Sequence, residues 1–554
     1  MIRSILRMGL VLPVLALCVP GTAAAFQTVS PQALYQEALV AEQAVGDLAT
    51  AIDLYERVAR MSGNNRSLAA QALVRAAGAY EKLESTQAGA LYAEVLRRYP
   101  EQTEWVSVAE ARLGALQLGA PPAGSRRTDV SATLDPILSA YCVTCHNAST
   151  RTAGLALSEL NTADVSEEPA LWENVLGRLR SGTMPPADTA RPDAGTRRRV
   201  VTTLELALDQ AYPSQGMRQR VSDPDLASRL SGLIWAAPPD AELIDAARQG
   251  RLRDPRVLEQ QVRRMLGDPR SVALVEGFFE QWLSPIGNLD AERYAAVDPA
   301  LRQAFRQETR LFIGSQLRED RPAMELWTAD YSFLNDRLAE HYGIAGVDGA
   351  RFRRVDLPSA TRGGLLGHGS FLLTTAPVTR TSPTSRGRAI LMNFFGERAP
   401  DPPPGVAPMP EVERPGRSRL ADHLVNPGCA GCHRIFDPLG LALENFDATG
   451  RWRTTDQGAP IDASGAFVDG TAYLGPEQFR AALTGYKDAF MTHAAKSLLA
   501  YALGRDMPRG EPYPYEMPTV RAIVRESAAA DYRWASLLLG VVRSDLFQTE
   551  EIIP

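Results

Sequence analysis

The pattern Cys-x-x-Cys-His occurs twice in this chain, in YCVTCHN at 141–147 and in NPGCAGCHR at 426–434. The 554 residues include only five cysteines and six histidines. Four of the five cysteines and two of the six histidines therefore lie in these two short stretches. Such repeated placement of two thiols beside an imidazole restricts each segment to a few kinds of chemistry.

Cys-x-x-Cys-His is the attachment sequence of c-type haem, in which both thiols add to the haem vinyl groups and the histidine binds the iron. A disulfide within each pair, a thioredoxin-like redox pair and a zinc site are the alternatives. None of these three explains a histidine directly after the second cysteine, twice. We therefore predict two covalent haem c groups, held by these residues: Cys142, Cys145 and His146, and Cys429, Cys432 and His433.

A methionine in LRSGTMPPAD, at 179–188, is a candidate ligand for the other face of the first iron. Met184 follows His146 by 38 residues and precedes two prolines. Methionine on a proline-stiffened loop is a common iron ligand of class I cytochromes, and its thioether raises the reduction potential. The alternative is an ordinary loop or core methionine.

The second motif has no Met-Pro loop after it, so its distal ligand stays open. The residues able to fill that position are His423, Met491, His493 and Met507. A five-coordinate iron is the other option. An open position would bind a small molecule and would permit catalysis as well as electron transfer.

The N-terminus has the pattern of a secretory signal peptide over residues 1–25. Arg3 and Arg7 precede a short apolar run, and Ala23-Ala24-Ala25 offers a cleavage site. An N-terminal membrane anchor is the alternative. No later stretch is apolar enough to span a bilayer, so we expect a periplasmic or extracytoplasmic protein. The formal net charge of −6, without a basic stripe, excludes a typical nucleic-acid-binding protein.

Helical periodicity dominates the chain and strand patterns are few, so we predict a mainly α protein. LYQEALVAEQAVGDLATAIDLYERVARM resembles a tetratricopeptide hairpin, a repeat that stacks into protein-binding surfaces. An ordinary helical bundle is the alternative. The expected divisions after the signal peptide are a tetratricopeptide-like region at 26–119, a class I cytochrome c-like domain at 128–212, helical domains at 216–285 and 286–398, a Pro-rich linker at 399–416, and the second motif with C-terminal helices at 417–550.

Several longer segments resemble one known family. They are RLSGLIWAAPPDAEL at 229–243, RRMLGDPRSVALVEGFFEQWL at 263–283, DYSFLNDRLAEHYGI at 330–344, RGGLLGHGSFLL at 362–373, TRTSPTSRGRAILMNFFG at 379–396 and AKSLLAYALGR at 495–505. Over about 130–545 the chain looks like the planctomycete-type multidomain cytochrome c proteins, a secreted family of serial domains of unknown function.

This resemblance implies an N-terminal cytochrome c-like domain, matched by Cys142, Cys145, His146 and Met184, and a later motif matched by Cys429, Cys432 and His433. It also implies a partner protein, which we expect to be a redox partner docking on the N-terminal repeats. Many members have a cysteine where this chain has His493, which favours His493 over Met491 and Met507 as a ligand of the second metal. A surface or capping histidine is the alternative.

Two functions remain open from the sequence. One is a dihaem cytochrome that relays electrons. The other is a dihaem oxidoreductase, peroxidase-like, that acts at an open second iron. A non-redox binding protein with structural cysteines is disfavoured by the histidine in each motif.

Overall fold

A computed structural model of the protein describes residues 30–42, 48–63, 65–82, 87–118, 130–186, 189–212, 218–283, 289, 292–357, 361–377, 380–399, 415–425, 427–505 and 514–551. The predicted signal peptide, residues 400–414 of the predicted linker, and the candidate ligand Met507 lie outside these described residues. The side chain of His423 is likewise outside the description.

The chain divides into two compact units, Met1–Thr128 and Asp129–Pro554. Helices make up 65% of the structure and strands 6%, which confirms the mainly α prediction. Among the described residues, no helix has the length and apolar character needed to cross a membrane.

In the described part of the first unit, five helices each pack on the next: α1 (Pro31–Val40), α2 (Leu48–Met61), α3 (Arg66–Lys82), α4 (Gln87–Arg98) and α5 (Thr103–Leu118). Helix α3 is central because it buries alanines on two faces. Ala72 and Ala76 face α1 and α2, while Ala70 and Ala77 face α4 and α5. Small side chains let neighbouring helices approach closely. The tetratricopeptide-like interpretation of this unit stays a prediction.

The second unit begins with the first motif segment, built from α6 (Val130–Tyr141), α7 (Pro169–Arg180) and α8 (Ala194–Ala211). Its core contains Leu138, Trp172, Leu176 and Leu204, each nearly inaccessible to solvent. Along each of these helices the core residues recur every three or four positions, as Trp172 and Leu176 do on α7.

The remainder of the second unit contains these helices: α9 (Asp223–Trp235), α10 (Ala241–Arg248), α11 (Pro255–Gly267), α12 (Val272–Leu274), α13 (Glu280–Trp282), α14 (Pro299–Arg318), α15 (Glu325–Thr328), α16 (Asp336–Tyr342), α17 (Gly369–Thr374), α18 (Pro383–Phe395), α19 (Gly416–Val425), α20 (Pro427–Leu441), α21 (Pro476–Leu483), α22 (Lys487–Ala502), α23 (Met517–Ala528), α24 (Trp534–Arg543) and α25 (Asp545–Gln548).

Strands occur only as short antiparallel pairs in the described part of the chain. β1 (Arg218–Arg220) pairs with β8 (Thr549–Glu551), with Arg218 opposite Glu551. The other pairs are β2 (Tyr331–Leu334) with β3 (Arg353–Asp356), β4 (Thr455–Asp456) with β5 (Ala459–Pro460), and β6 (Gly465–Ala466) with β7 (Ala472–Tyr473). One continuous apolar core runs from Val221 to Phe547.

Helices α18 and α20 pack against each other at backbone distance. A Cβ at Gly387 of α18 would overlap the carbonyl oxygen of Phe436, and a Cβ at Gly440 of α20 would overlap that of Pro383. Glycine is therefore required at both crossing points. Ser382 caps the start of α18, where its hydroxyl accepts a hydrogen bond from the Ser385 amide, and Gly396, with φ of 68°, caps the end.

Candidate functional site

The first Cys-x-x-Cys-His motif lies in tight turns that directly follow α6. The amide of Cys142 donates to Leu138 O at 2.9 Å, and the amide of His146 donates to Cys142 O at 3.0 Å. The His146 ring is held through Nδ1, which lies 3.1 Å from the backbone oxygen of Thr152. Because Nδ1 faces a carbonyl acceptor, it carries the proton and Nε2 is the nitrogen that would bind a metal.

The cysteines of this motif form no disulfide. Cys142 is half-buried and packs against the core of α6, α7 and α8, whereas Cys145 is exposed. Burial, with the neighbouring Cys145, raises the pKa of the Cys142 thiol to about 11. The Cys142 thiol is thus protonated at neutral pH, so it is not a reactive thiolate of the thioredoxin kind.

Met184 lies in the loop between α7 and α8, as predicted. Its amide donates to Arg178 O at 3.4 Å, and Arg191 donates to Gly182 O at 2.9 Å. The loop is also held from outside its own segment. Ser181 Oγ donates to Glu397 Oε1 at 3.1 Å, and Arg178 pairs with Glu397 at 2.5 Å. The Met184 side chain is half-buried.

The second motif lies on a helix, α20, rather than in turns. Cys429, Cys432 and His433 are all half-buried, and neither cysteine forms a disulfide. Cys432 packs against the main apolar core. Burial, with the adjacent Cys429, raises the pKa of the Cys432 thiol.

A buried carboxylate holds His433. Nδ1 of His433 lies 2.9 Å from Oδ2 of Asp437, one helical turn further along α20. The other carboxylate oxygen of Asp437 accepts from the Thr384 hydroxyl on α18 at 2.8 Å. The side chain of Asp437 is 4% exposed, against 17% for His433. The Phe436 ring packs edge-on against the imidazole, with centroids 4.8 Å apart.

The residues of both motifs fit a covalently bound haem. In each motif the thiols are not cross-linked and an acceptor on Nδ1 selects the tautomer that presents Nε2. Bound there, the group would supply one-electron exchange at iron. Cys142, Cys145 and His146 would hold one haem, and Cys429, Cys432 and His433 the other. Among the residues that the structure describes, no group of three or more His, Cys, Asp or Glu side chains could hold a bare metal ion.

His493, the predicted ligand of the second metal, lies on α22. Its ring centroid is 6.0 Å from that of Trp282, and a Cβ at Gly396 would lie 2.6 Å from its Nδ1. Burial, with the charge of Lys496, lowers the pKa of His493 to about 3, so the ring is neutral. A neutral imidazole is the form that binds iron. His493 as a ligand stays a prediction, as does Met491, which is fully buried on the same helix.

Two residues that support the motifs were missed from the sequence. Thr384 reaches Asp437 across 53 residues, and Glu397 reaches Ser181 across 216 residues. No local pattern connects such distant positions. The contact of Asp437 with His433 is indicated in the sequence, because the two residues have the i, i+4 spacing of one helical face.

The first motif segment is joined to the C-terminal helices by a buried arginine. Arg521 of α23, 2% exposed, pairs with Glu173 of α7 at 2.8 Å and with Asp209 of α8 at 2.6 Å. Both motifs therefore belong to one compact unit in which the first segment is fixed.

Two unlinked cysteines followed directly by a histidine held through Nδ1 form the site of a c-type cytochrome. The family model described as Planctomycete cytochrome C matches residues 142–188, which span this motif and Met184.

Three models described as proteins of unknown function match the rest of the second unit: DUF1592 at 221–344, DUF1588 at 362–456 and DUF1585 at 469–547. The chain belongs to the planctomycete multidomain cytochrome c family. A search of curated proteins and a search of solved structures give no match.

Proposed function

We propose that this protein is a secreted, periplasmic c-type cytochrome with two haems that transfers electrons between them. The observation that carries the proposal is the shared arrangement at the two motifs. Each has two cysteines without a disulfide, and a histidine whose Nδ1 is held by an oxygen acceptor. A structural cysteine pair would have no use for an oriented imidazole.

Helix α18 supports transfer within the protein because it contacts both motif segments. Thr384, at its first turn, contacts Asp437 of the second segment. Glu397, just beyond its last residue, contacts Ser181 and Arg178 of the Met184 loop. The rise from Thr384 to Glu397 is about 20 Å at 1.5 Å per residue. Two redox centres held by contacts at opposite ends of one helix would keep a constant separation.

The N-terminal helices α1–α5 are the proposed docking surface for a redox partner. Stacked helical hairpins form extended surfaces that bind proteins. Loss of residues 30–118 should abolish reduction by the partner and leave exchange with a small chemical reductant intact.

Internal electron transfer is tested with protein matured by the c-type attachment machinery. Three forms are compared: wild type, Cys142→Ala/Cys145→Ala and Cys429→Ala/Cys432→Ala. Rapid mixing with a limiting amount of reductant should give a second, concentration-independent phase in the wild type only. Its absence from the wild type, with two haems attached, would reject transfer between the two centres.

An oxidoreductase that acts at the second motif is the second candidate. The contact between His433 and Asp437 favours it, because a carboxylate on Nδ1 makes the imidazole a more basic ligand. A high-spin ferric spectrum assigned to the second haem, with peroxide consumption lost in Cys429→Ala/Cys432→Ala, would support this candidate. A fully low-spin protein that leaves peroxide intact would reject it.

A further inference from the structure

We propose that Asp437 is a positioning residue that lowers the reduction potential of the second haem below that of the first, and so directs electrons from the second motif towards the first. This inference rests on the proposed presence of two haems.

The two histidines are oriented by different acceptors, and this difference carries the inference. His146 faces the neutral backbone oxygen of Thr152 at 3.1 Å. His433 faces a carboxylate oxygen of Asp437 at 2.9 Å. A hydrogen bond to an ionised acceptor is roughly twice as strong as one to a neutral acceptor. His433 is therefore the more electron-rich ligand.

The environment of Asp437 preserves this effect. Its side chain is 4% exposed, so water screens its charge little. Both carboxylate oxygens are engaged, one with His433 and one with the Thr384 hydroxyl, which fixes the group on two helices. The close crossing of α18 and α20 at Gly387 and Gly440 keeps those helices in register.

The sign of the effect follows from charge. A more electron-rich imidazole, with a buried negative charge behind it, stabilises the oxidised iron more than the reduced iron. Hydrogen bonding and burial around the ligands are recognised means by which a protein sets the potential of its haem iron. At the first motif, a thioether from Met184 would act in the opposite direction. Electrons then move from the second centre to the first.

The test is a potentiometric titration of Asp437→Asn, monitored by optical spectra that resolve the two haems. Loss of such a supporting contact typically changes affinity or activity by 10–100-fold. If the ratio of oxidised to reduced iron changes by the same factor, the reduction potential of the second haem rises by about 59–118 mV, since the couple transfers one electron. The potential of the first haem should not move, and Asp437→Glu, which keeps a carboxylate, should restore most of the wild-type value.

Glu444→Gln is the matched control, since Glu444 is equally buried but pairs with Arg453 at 3.1 Å instead of with His433. A shift in this control as large as that of Asp437→Asn would overturn the proposal by showing a general charge effect. An unchanged or lower potential in Asp437→Asn would overturn it as well. A single attached haem in the wild type would instead refute the proposed function, and mass measurement detects that case separately.

If Asp437→Asn does not fold, the single variants Thr384→Val and Asp437→Glu are used instead. The quantity measured in each is the iron–histidine stretching frequency of the second haem. Weaker contact with Nδ1 should lower that frequency relative to the wild type. An unchanged frequency in Thr384→Val would contradict the role assigned to the contact, whereas Asp437→Glu, which keeps a carboxylate, should stay close to the wild type.

Discussion

Arg521 and Glu173 form a buried ion pair at 2.8 Å, although 348 residues separate them in the chain. The arginine is 2% exposed and the glutamate 11%. Burial raises the pKa of Glu173, while Arg521 opposes that shift by stabilising the charged carboxylate. This pair, together with Asp209, fastens α7 and α8 of the first motif segment to α23, so the segment is a fixed part of the second unit.

Replacing Arg521 should therefore destabilise the second unit strongly. Arg521→Met leaves Glu173 and Asp209 buried without their cation, and breaking a buried pair in this way costs about 3–5 kcal/mol. The free energy of unfolding, measured with denaturant, checks the value. Arg525→Ala is the control, because Arg525 is 56% exposed and lies 3.5 Å from the same Asp209. That exposed pair should contribute under about 1 kcal/mol. If the free energy of unfolding falls equally in Arg521→Met and Arg525→Ala, the buried pair of Arg521 has no special role in stability.

Removing Glu397 should loosen the loop that carries Met184. Glu397→Ala deletes the acceptor of Ser181 and the partner of Arg178. We expect partial loss of the methionine–iron charge-transfer band and a lower potential of the first haem, since thioether ligation raises that potential. Glu159→Ala should change neither, because its pair with Arg151 lies on the exposed surface of the same segment. An intact band in Glu397→Ala would show that the loop does not depend on this contact.

The pH dependence of stability should carry a contribution from His368. This residue is fully buried, and burial, with the charge of Arg362, lowers its pKa to about 3 from 6.5. Between pH 6.5 and about pH 3, His368 binds a proton in the unfolded chain but not in the folded protein. The free energy of unfolding then falls by up to about 1.4 kcal/mol per pH unit as the pH drops towards 3.

Glu308, with an oxygen 4.0 Å from His368 Nε2, opposes this trend. Burial raises the pKa of Glu308 to about 7 from 4.5, so the folded state binds the extra proton between those values. The informative quantity is the difference between wild type and His368→Gln in urea titrations from pH 7 to 4. The variant should lose less stability on acidification, and parallel curves would exclude the contribution of His368.

The contact between α18 and α20 should not tolerate a methyl group. Gly387→Ala places a Cβ into the carbonyl oxygen of Phe436, and a backbone atom cannot move aside without shifting the helix. We expect a loss of about 3 kcal/mol, the upper part of the range for overpacking, with a changed spectrum of the second haem. Gly232→Ala in α9 meets nothing within 4 Å and should stabilise by about 0.5–1 kcal/mol. A Gly387→Ala protein as stable as the wild type would contradict this packing.

The sequence predicted the helical class because helical periodicity depends on local information. Helix α18, for instance, is bounded by a capping serine, Ser382, and a terminal glycine, Gly396. The β2–β3 pair was not expected within 286–398, because DYSFLN alternates polar and apolar residues over only four positions and RFRRVD over only three. Its pairing depends on tertiary packing instead.

The supporting contacts of the site likewise fall into a local one, which the sequence can indicate, and others, which it cannot. Asp437 lies one turn from His433 on the same helical face, and that spacing is visible in the sequence. Thr152 contributes a backbone oxygen, which no side-chain pattern reveals. Thr384 and Glu397 depend on how distant helices pack, and helix packing is not encoded in any short segment.

The number of haems attached to the mature chain tests the central claim most directly. Intact mass spectrometry of protein made with the c-type attachment machinery, repeated on Cys429→Ala/Cys432→Ala, counts them without assuming any activity. The account predicts two haems in the wild type and one in the variant. One haem in both would show that the second motif is structural, and would contradict the assignment of a second redox centre to His433.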